Sequence, residues 1–219
     1  MSDRLLMKKE GIARYISHLD LMRTMQRVFV RAGLSIRHTE GYNPHPYISF
    51  ALPLSVGTES ECELMDFELT EKPEGVDIAA LLTEKLPEGI TVASVYESDR
   101  KLKHIAWLRV RVTLLYDHGV PEGAAEKLTE LFSRKELVIE KKTKSGTATS
   151  DIAPMIRSFA LTSAGETELT FEAVIAAQNP SLSPAQMMGA VPQLLPELTP
   201  DFERYRRLEV YDKDLQIFR

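Results

Sequence analysis

Residues 41–46 read Gly-Tyr-Asn-Pro-His-Pro, and no helix or regular strand can run through them. Pro44 and Pro46 each lack a backbone donor, and each pushes the preceding residue toward extended backbone. Pro53 and Gly57 follow closely, so a long excursion pinned by three prolines separates two stretches with strand character. Loops of this kind are uncommon inside a compact domain unless they carry function. Any fold proposed for the chain must accommodate this excursion.

The surrounding periodicity supplies the frame. It predicts a strand over residues 2–10, a helix from about Leu19 to Ala32 with Gly33 past its end, and a strand from Leu34 to Thr39. Tyr47 to Leu54 reads as extended. Leu64, Met65, Phe67 and Leu69 mark a third strand, Ile78 to Leu86 a short helix, and Ile90 to Tyr96 a fourth strand. The order β-α-β-(loop)-β-α-β is the split β-α-β arrangement of a ferredoxin-like domain. The second half predicts a strand Ile105–Tyr116, a helix Glu122–Phe132, a strand Leu137–Lys142 and a polar, turn-rich stretch 142–151. A strand or helical turn at Ile152–Ile156, a hairpin Arg157–Thr162/Glu168–Ile175, a helix Pro184–Leu195 and a strand Leu208–Tyr211 complete it. The expected fold class is α+β: two tandem ferredoxin-like (split β-α-β) domains with antiparallel sheets. Residues 1–99 hold the GYNPHP loop, residues 104–219 a basic loop, and the hinge falls near Ser98–His104.

Composition narrows the function. With 219 residues and 43% hydrophobic content, the chain can bury a sizeable core and is not disordered. No run of about 18 apolar residues exists to span a membrane. The single cysteine, Cys62, excludes an internal disulfide framework or a multi-cysteine metal or iron–sulfur site, and fits a reducing cytoplasm. The net charge of −5 hides a pattern. Residues 1–50 carry eight basic and four acidic residues, residues 51–100 three and twelve, residues 101–150 ten and six, and residues 151–219 six and ten. A binding surface responds to its local field, so the acidic average does not exclude an anionic partner.

Three elements could bind anions. In Ser17-His18-Leu19-Asp20, Ser17 suits an N-cap and Asp20 resembles a capping-box partner at the positive helix end. Capping leaves His18 unexplained. Arg23, Arg27 and Arg31 follow at steps of four, which drift only about 40° per step and form one stripe. Leu19, Met22, Met25 and Phe29 supply the apolar side. A solvated face usually mixes signs to gain pairs four apart, whereas this helix contains no glutamate. The stripe is therefore either a solvated face or a phosphate-contacting one. In the pinned loop, Asn43 and His45 offer hydrogen bonds and Tyr42 a stacking face at low ordering cost; the alternative is a rigid crossover with Tyr42 packed inside. Lys141, Lys142 and Lys144, with Arg157 nearby, make a basic glycine-containing loop that suits a phosphate backbone as well as it suits an exposed turn.

Catalytic signatures are weak. His18, His38 and His45 match no metal spacing, so no metal or other cofactor is expected. Cys62 lies between Glu61 and Glu63, whose charge disfavours a thiolate. There is no glycine-rich phosphate loop and no GxSxG elbow.

Residues 15–61, YISHLDLMRTMQRVFVRAGLSIRHTEGYNPHPYISFALPLSVGTESE, together with VIEKKTKSGTATSDIAPMI at 138–156, resemble the radical SAM-linked family of bacterial proteins, a DUF2344-type domain. Members of that family occur as separate chains or fused behind a cobalamin-binding type of radical SAM enzyme. The resemblance implies an accessory role beside such an enzyme and assigns no catalytic residues. This chain has no CxxxCxxC motif, so the radical chemistry would lie on the partner.

The expectation is an accessory RNA-binding subunit, more an RNA presenter than an enzyme, offering tRNA or rRNA to a radical SAM partner. One alternative is a stand-alone enzyme using His18, Asp20, Asn43 and His45 on a phosphoester. Another is a protein–protein adaptor docking through the acidic block Glu59–Glu74, which otherwise reads as the solvated edge of the third strand.

Overall fold

The computed structural model describes residues 2–143 and 146–219. It is α+β with mostly antiparallel pairing and divides into two compact units, Met1–His104 with Arg219, and Ile105–Phe218.

The first unit runs β1 (Ser2–Lys9), α1 (His18–Arg31), β2 (Ile48–Phe50), β3 (Thr58–Phe67), α2 (Ile78–Lys85) and β4 (Ile90–Ser98). Its strands lie in the order β4-β1-β3-β2, every neighbour antiparallel. Leu5 and Met7 on β1 and Met65 and Phe67 on β3 meet Leu21, Met25, Val28 and Phe29 on α1. The Phe29 and Phe67 rings lie 5.0 Å apart. Burying one such side chain contributes about 2–3 kcal/mol, so this face fixes the helix on the sheet.

Two expectations change here. Leu19 is 63% exposed and lies off the buried face. Leu34–Thr39 is not a strand: only isolated bridges form, Ile36 to Leu69 and His38 to Pro46. The second strand is instead the short Ile48–Phe50, paired with Phe67–Met65. Proline supplies the reason, since Pro46 cannot donate to a ladder. A third correction concerns the acidic block. It is not a solvated edge, because β3 lies between β1 and β2, Glu63 is buried, Glu59 accepts from the Gly11 amide and Glu68 pairs with Arg37.

The second unit runs β5 (Trp107–Leu115), α3 (Ala124–Phe132), β6 (Val138–Thr143), β7 (Gly146–Asp151), β8 (Ile156–Ala164), β9 (Glu168–Ala176), α4 (Pro184–Met188), α5 (Ala190–Leu194) and β10 (Phe202–Tyr211). Its main strands lie in the order β10-β5-β9-β8, again antiparallel throughout. Phe132, Phe159 and Phe171 cluster between α3 and the sheet. Here too the structure corrects the reading. The polar stretch 142–151 contains a strand, β7, which pairs with β6 as a separate hairpin. The single helix expected over Pro184–Leu195 is two short ones meeting at Gly189. No helix among the described residues is long and apolar enough to cross a membrane.

Gly89 is held by a close approach. It has φ +84, and a Cβ there would lie 2.3 Å from the Glu10 carbonyl oxygen. The Gly89 carbonyl accepts from the Glu10 amide at 2.7 Å, tying the start of β4 to the end of β1.

At the sheet centre, Arg4 is fully buried and donates through Nε and Nη2 to both carboxylate oxygens of Asp66, its cross-strand neighbour, at 2.6 and 3.0 Å. Removing Asp66 leaves a buried cation without its counter-charge, a defect that costs about 3 kcal/mol or more, whereas replacing both partners with apolar residues costs far less. Asp66→Ala should therefore lower the free energy of urea unfolding by about that amount, and Arg4→Met/Asp66→Leu by clearly less.

Candidate nucleic-acid interface

Helix α1 is closed by its own sequence at both ends. Ser17 Oγ accepts from the Asp20 amide at 3.2 Å, and the hydroxyl donates to Asp20 Oδ2 at 2.7 Å. At the other end, Gly33 at φ +71 lets its amide reach the Val30 carbonyl and the Leu34 amide reach the Phe29 carbonyl. This is the paired-bond Schellman stop, which favours glycine because the backbone is left-handed there.

These caps absorb part of the expected site. Asp20 is both cap partner and counter-charge, 3.2 Å from Arg23. The Ser17 hydrogen bond holds its carboxyl below the ordinary value against slight desolvation, and Arg23 and Arg27 push the same way as Ser17. Arg31 donates to the Lys85 carbonyl at 2.8 Å and so closes the C-terminus of α2. Arg27 makes no direct hydrogen bond or salt bridge among the described residues. Of the three stripe cations, Arg27 alone is uncommitted and Arg23 is partly neutralised; both are exposed.

The GYNPHP loop is clasped at its base. The Thr39 amide donates to the His45 carbonyl at 2.8 Å, the His45 amide to Thr39 Oγ1 at 2.9 Å, and the Tyr47 amide to the Arg37 carbonyl at 2.9 Å. Arg37 stacks over the Tyr47 ring with its guanidinium carbon 5.3 Å from the centroid. Above this clasp Tyr42, Asn43 and His45 are exposed, Tyr42 completely. Tyr42 is thus not part of the core.

Helix and loop base together form a groove of about 420 Å³. Phe29, Leu34, Ile36 and Pro46 give it apolar walls; Gln26, Ser35 and His38 add polar groups. Such a mix, mostly apolar with a few convergent polar groups, is the usual make-up of a ligand site. His38 Nδ1 lies 3.0 Å from the Ile36 carbonyl. A neutral ring therefore carries its proton on Nδ1 and leaves Nε2 as an acceptor. Spacing alone could not reveal this groove, because it depends on the bridge between His38 and Pro46.

His18 packs edge-on against Phe50 at 5.5 Å, while the His45 backbone belongs to the clasp; among the described residues no hydrogen bond or ring contact joins the two histidines, and neither lines the groove. Among the described residues no three His, Cys, Asp or Glu side chains form a metal cluster. Cys62 is buried.

In the second unit, β6 and β7 form a hairpin anchored at its base, with Ile139 buried and residues 146–149 exposed. Asp151 Oδ1 accepts from the Leu137 and Ala153 amides at 2.8 and 3.0 Å. Gln193 meets the Glu140 backbone in both directions, Nε2 donating at 3.2 Å and Oε1 accepting at 2.8 Å. The Asp-Ile-x-Pro-x-Ile run of residues 151–156 thus has a physical role: Asp151 clamps the hairpin, Ile152 is buried and Pro154 starts a tight turn. Arg157 is exposed on β8, at a bulge between Ile156 and Ser158. Lys144 and the side chains of Lys141 and Lys142 lie outside the described residues.

Residues 4–184 match the family described as an uncharacterized protein conserved in bacteria (DUF2344), and the chain belongs to that family. No curated protein matches it. Among solved structures, a chain of a Cbf5-Nop10-Gar1 complex is similar with TM-score 0.52 at 10% identity, over 95% of this chain and 48% of that one. A chain of the archaeal box H/ACA sRNP Nop10-Cbf5 complex is similar with TM-score 0.48 at 10% identity, over 94% and 46%. The chain spans about half the length of the chains it resembles, and at such identity the likeness is one of fold.

Asp20 provides a pH test of the cap. A carboxyl with a depressed value contributes stability above its unfolded value of 3.8 and loses it as pH falls through the folded one. Wild type should melt above Asp20→Asn at neutral pH, with the gap closing below pH 3.8.

Proposed function

We propose that the protein is an accessory RNA-binding subunit that presents an RNA, tRNA or rRNA, to a radical SAM enzyme carried on a separate chain in the bacterial cytoplasm. We read each unit as ferredoxin-like, on the strand orders β4-β1-β3-β2 and β10-β5-β9-β8. The observation that carries the RNA reading is the groove between α1 and the GYNPHP loop. Its apolar walls and polar groups suit an unpaired base, and the exposed Arg23 and Arg27 on the same helix suit the attached phosphates. Tyr42, fully exposed on a loop with little freedom, offers a second stacking face.

Structure and sequence support the division of labour differently. The absence of a CxxxCxxC motif supports placing the iron–sulfur chemistry on the partner. His18 and His45 share no hydrogen bond or ring contact among the described residues and neither lines the groove, which supports a presenter over a stand-alone phosphoester enzyme.

Binding should be modest and steeply salt-dependent, because each neutralised phosphate releases counterions. In a filter-retention assay with bacterial tRNA, Arg27→Ala should weaken binding about fivefold, equivalent to about 1 kcal/mol, and lower the salt slope by about 1. No retained RNA at low salt, with or without the radical SAM partner, overturns the reading.

A further inference from the structure

Strands β5 and β10 carry a surface that the reading above does not use. On β5, Leu108, Val110, Val112 and Leu114 are buried toward the helices, so Trp107, Arg109, Arg111 and Thr113 point the other way. The register sets Tyr211 opposite Trp107, Glu209 opposite Arg109, Arg206 opposite Arg111 and Arg204 opposite Thr113. Four arginines thus lie on one face of two adjacent strands, with an aromatic pair at one end. Phe202, 56% exposed and opposite Leu115, stands at the other end. The Arg109 and Arg111 side chains are 45% and 43% exposed, and Arg204 is exposed with no hydrogen bond or ion pair among the described residues.

Like charges directly opposite, as at Arg111 and Arg206, are destabilising. Glu172 on β9 offsets part of that, reaching Arg111 at 2.7 Å and Arg109 at 3.9 Å. A protein partner is the less favoured occupant: Arg, Trp and Tyr are common in such interfaces, but glutamates are depleted there and Glu172 and Glu209 sit among the arginines. A duplex fits poorly too. Glu168, Glu172 and Glu209 share the face, so the net charge is too small for a phosphate ladder alone, and paired bases cannot stack on the aromatic side chains. A single strand uses both kinds of group: guanidiniums for phosphates and base planes, Trp107 and Tyr211 for stacking.

We propose that the outward face of β5 and β10 is a platform for single-stranded RNA, with Trp107 and Tyr211 as the stacking end and Arg109, Arg111, Arg204 and Arg206 as the backbone and base contacts. The nine residues of β5 span about 27 Å, room for about four nucleotides. The platform takes its ligand class from the RNA-binding reading but rests on residues outside the groove.

Trp107 is the only tryptophan in the chain, so intrinsic emission reports on this face. Titrating the full chain with a single-stranded RNA of about 12 nucleotides should quench that emission saturably, and the same sequence as a duplex should not. Arg204→Ala should raise the half-saturation concentration about fivefold, and Arg204→Lys should recover most of the loss. Arg204 is exposed and unbonded, so neither variant threatens the fold. Emission unchanged by RNA that the filter assay retains overturns the platform and leaves the groove reading standing. Equal quenching by the duplex, or an Arg204→Ala curve that overlays wild type, overturns the platform as well. No quenching and no retention overturn both readings.

Discussion

A buried cation governs the first unit. Arg4 has no contact with water, and its guanidinium is held by Asp66 across the strand pair and by the Arg100 carbonyl at 2.6 Å. A charge taken out of water is tolerated only while its partners stay in place. The pairing of β1 with β3 and the course of the chain just beyond β4 are therefore fixed together. Slipping β1 by one residue against β3 would move Arg4 away from Asp66 and turn Leu5 and Met7 out of the core at the same stroke. Everything the groove needs rests on that register: α1 packs on Leu5, Met7, Met65 and Phe67, and the loop base pairs with the chain leaving β3, at Ile36–Leu69.

The same economy sorts the cations. A row of arginines in a sequence looks uniform, yet the structure gives each a different task. Arg23 balances the cap carboxylate, Arg31 satisfies the end of α2, and Arg27 has no direct hydrogen bond or ion pair among the described residues. Spacing places side chains on a common face but says nothing about what the neighbouring element presents to them. The Lys85 carbonyl that occupies Arg31 comes from a helix 54 residues away.

That distinction explains what could be read beforehand. Helix α1 was legible within a residue or two, because Ser17, Asp20 and Gly33 act locally on its ends. The strong strands β1, β3, β5 and β9 were legible from alternation. The second strand was misplaced: Leu34–Thr39 alternates as well as a strand does, but its partners are only the isolated bridges around Pro46 and Leu69. Strand β7 was hidden because Thr147, Thr149 and Ser150 resemble a turn until Asp151 closes the hairpin. The groove needed a long-range bridge and could not be seen. The arginines on β5 and β10 could have been, since Arg109/Arg111 and Arg204/Arg206 each repeat with the strand period of two. A short window masks the signal, because Glu203 and Glu209 stand beside Arg204 and Arg206, although alternation turns Glu203 to the opposite face.

The two units use one element order, and each departs from it at the same step. Between α1 and β2 the first inserts the clasped GYNPHP loop; between α3 and β8 the second inserts the β6–β7 hairpin. Within its own unit, each insertion leads into the strand that ends the order, β2 or β8, paired on one side by β3 or β9. A connection entering such a strand is constrained on that one side only, so extra residues there disturb one ladder and leave the other strands in place. Both insertions are then re-anchored by side chains or backbone at their base, Thr39 in one and Asp151 with Gln193 in the other. The fold thus offers one tolerant position per unit, and in each unit that position holds an element whose composition suits an anionic partner.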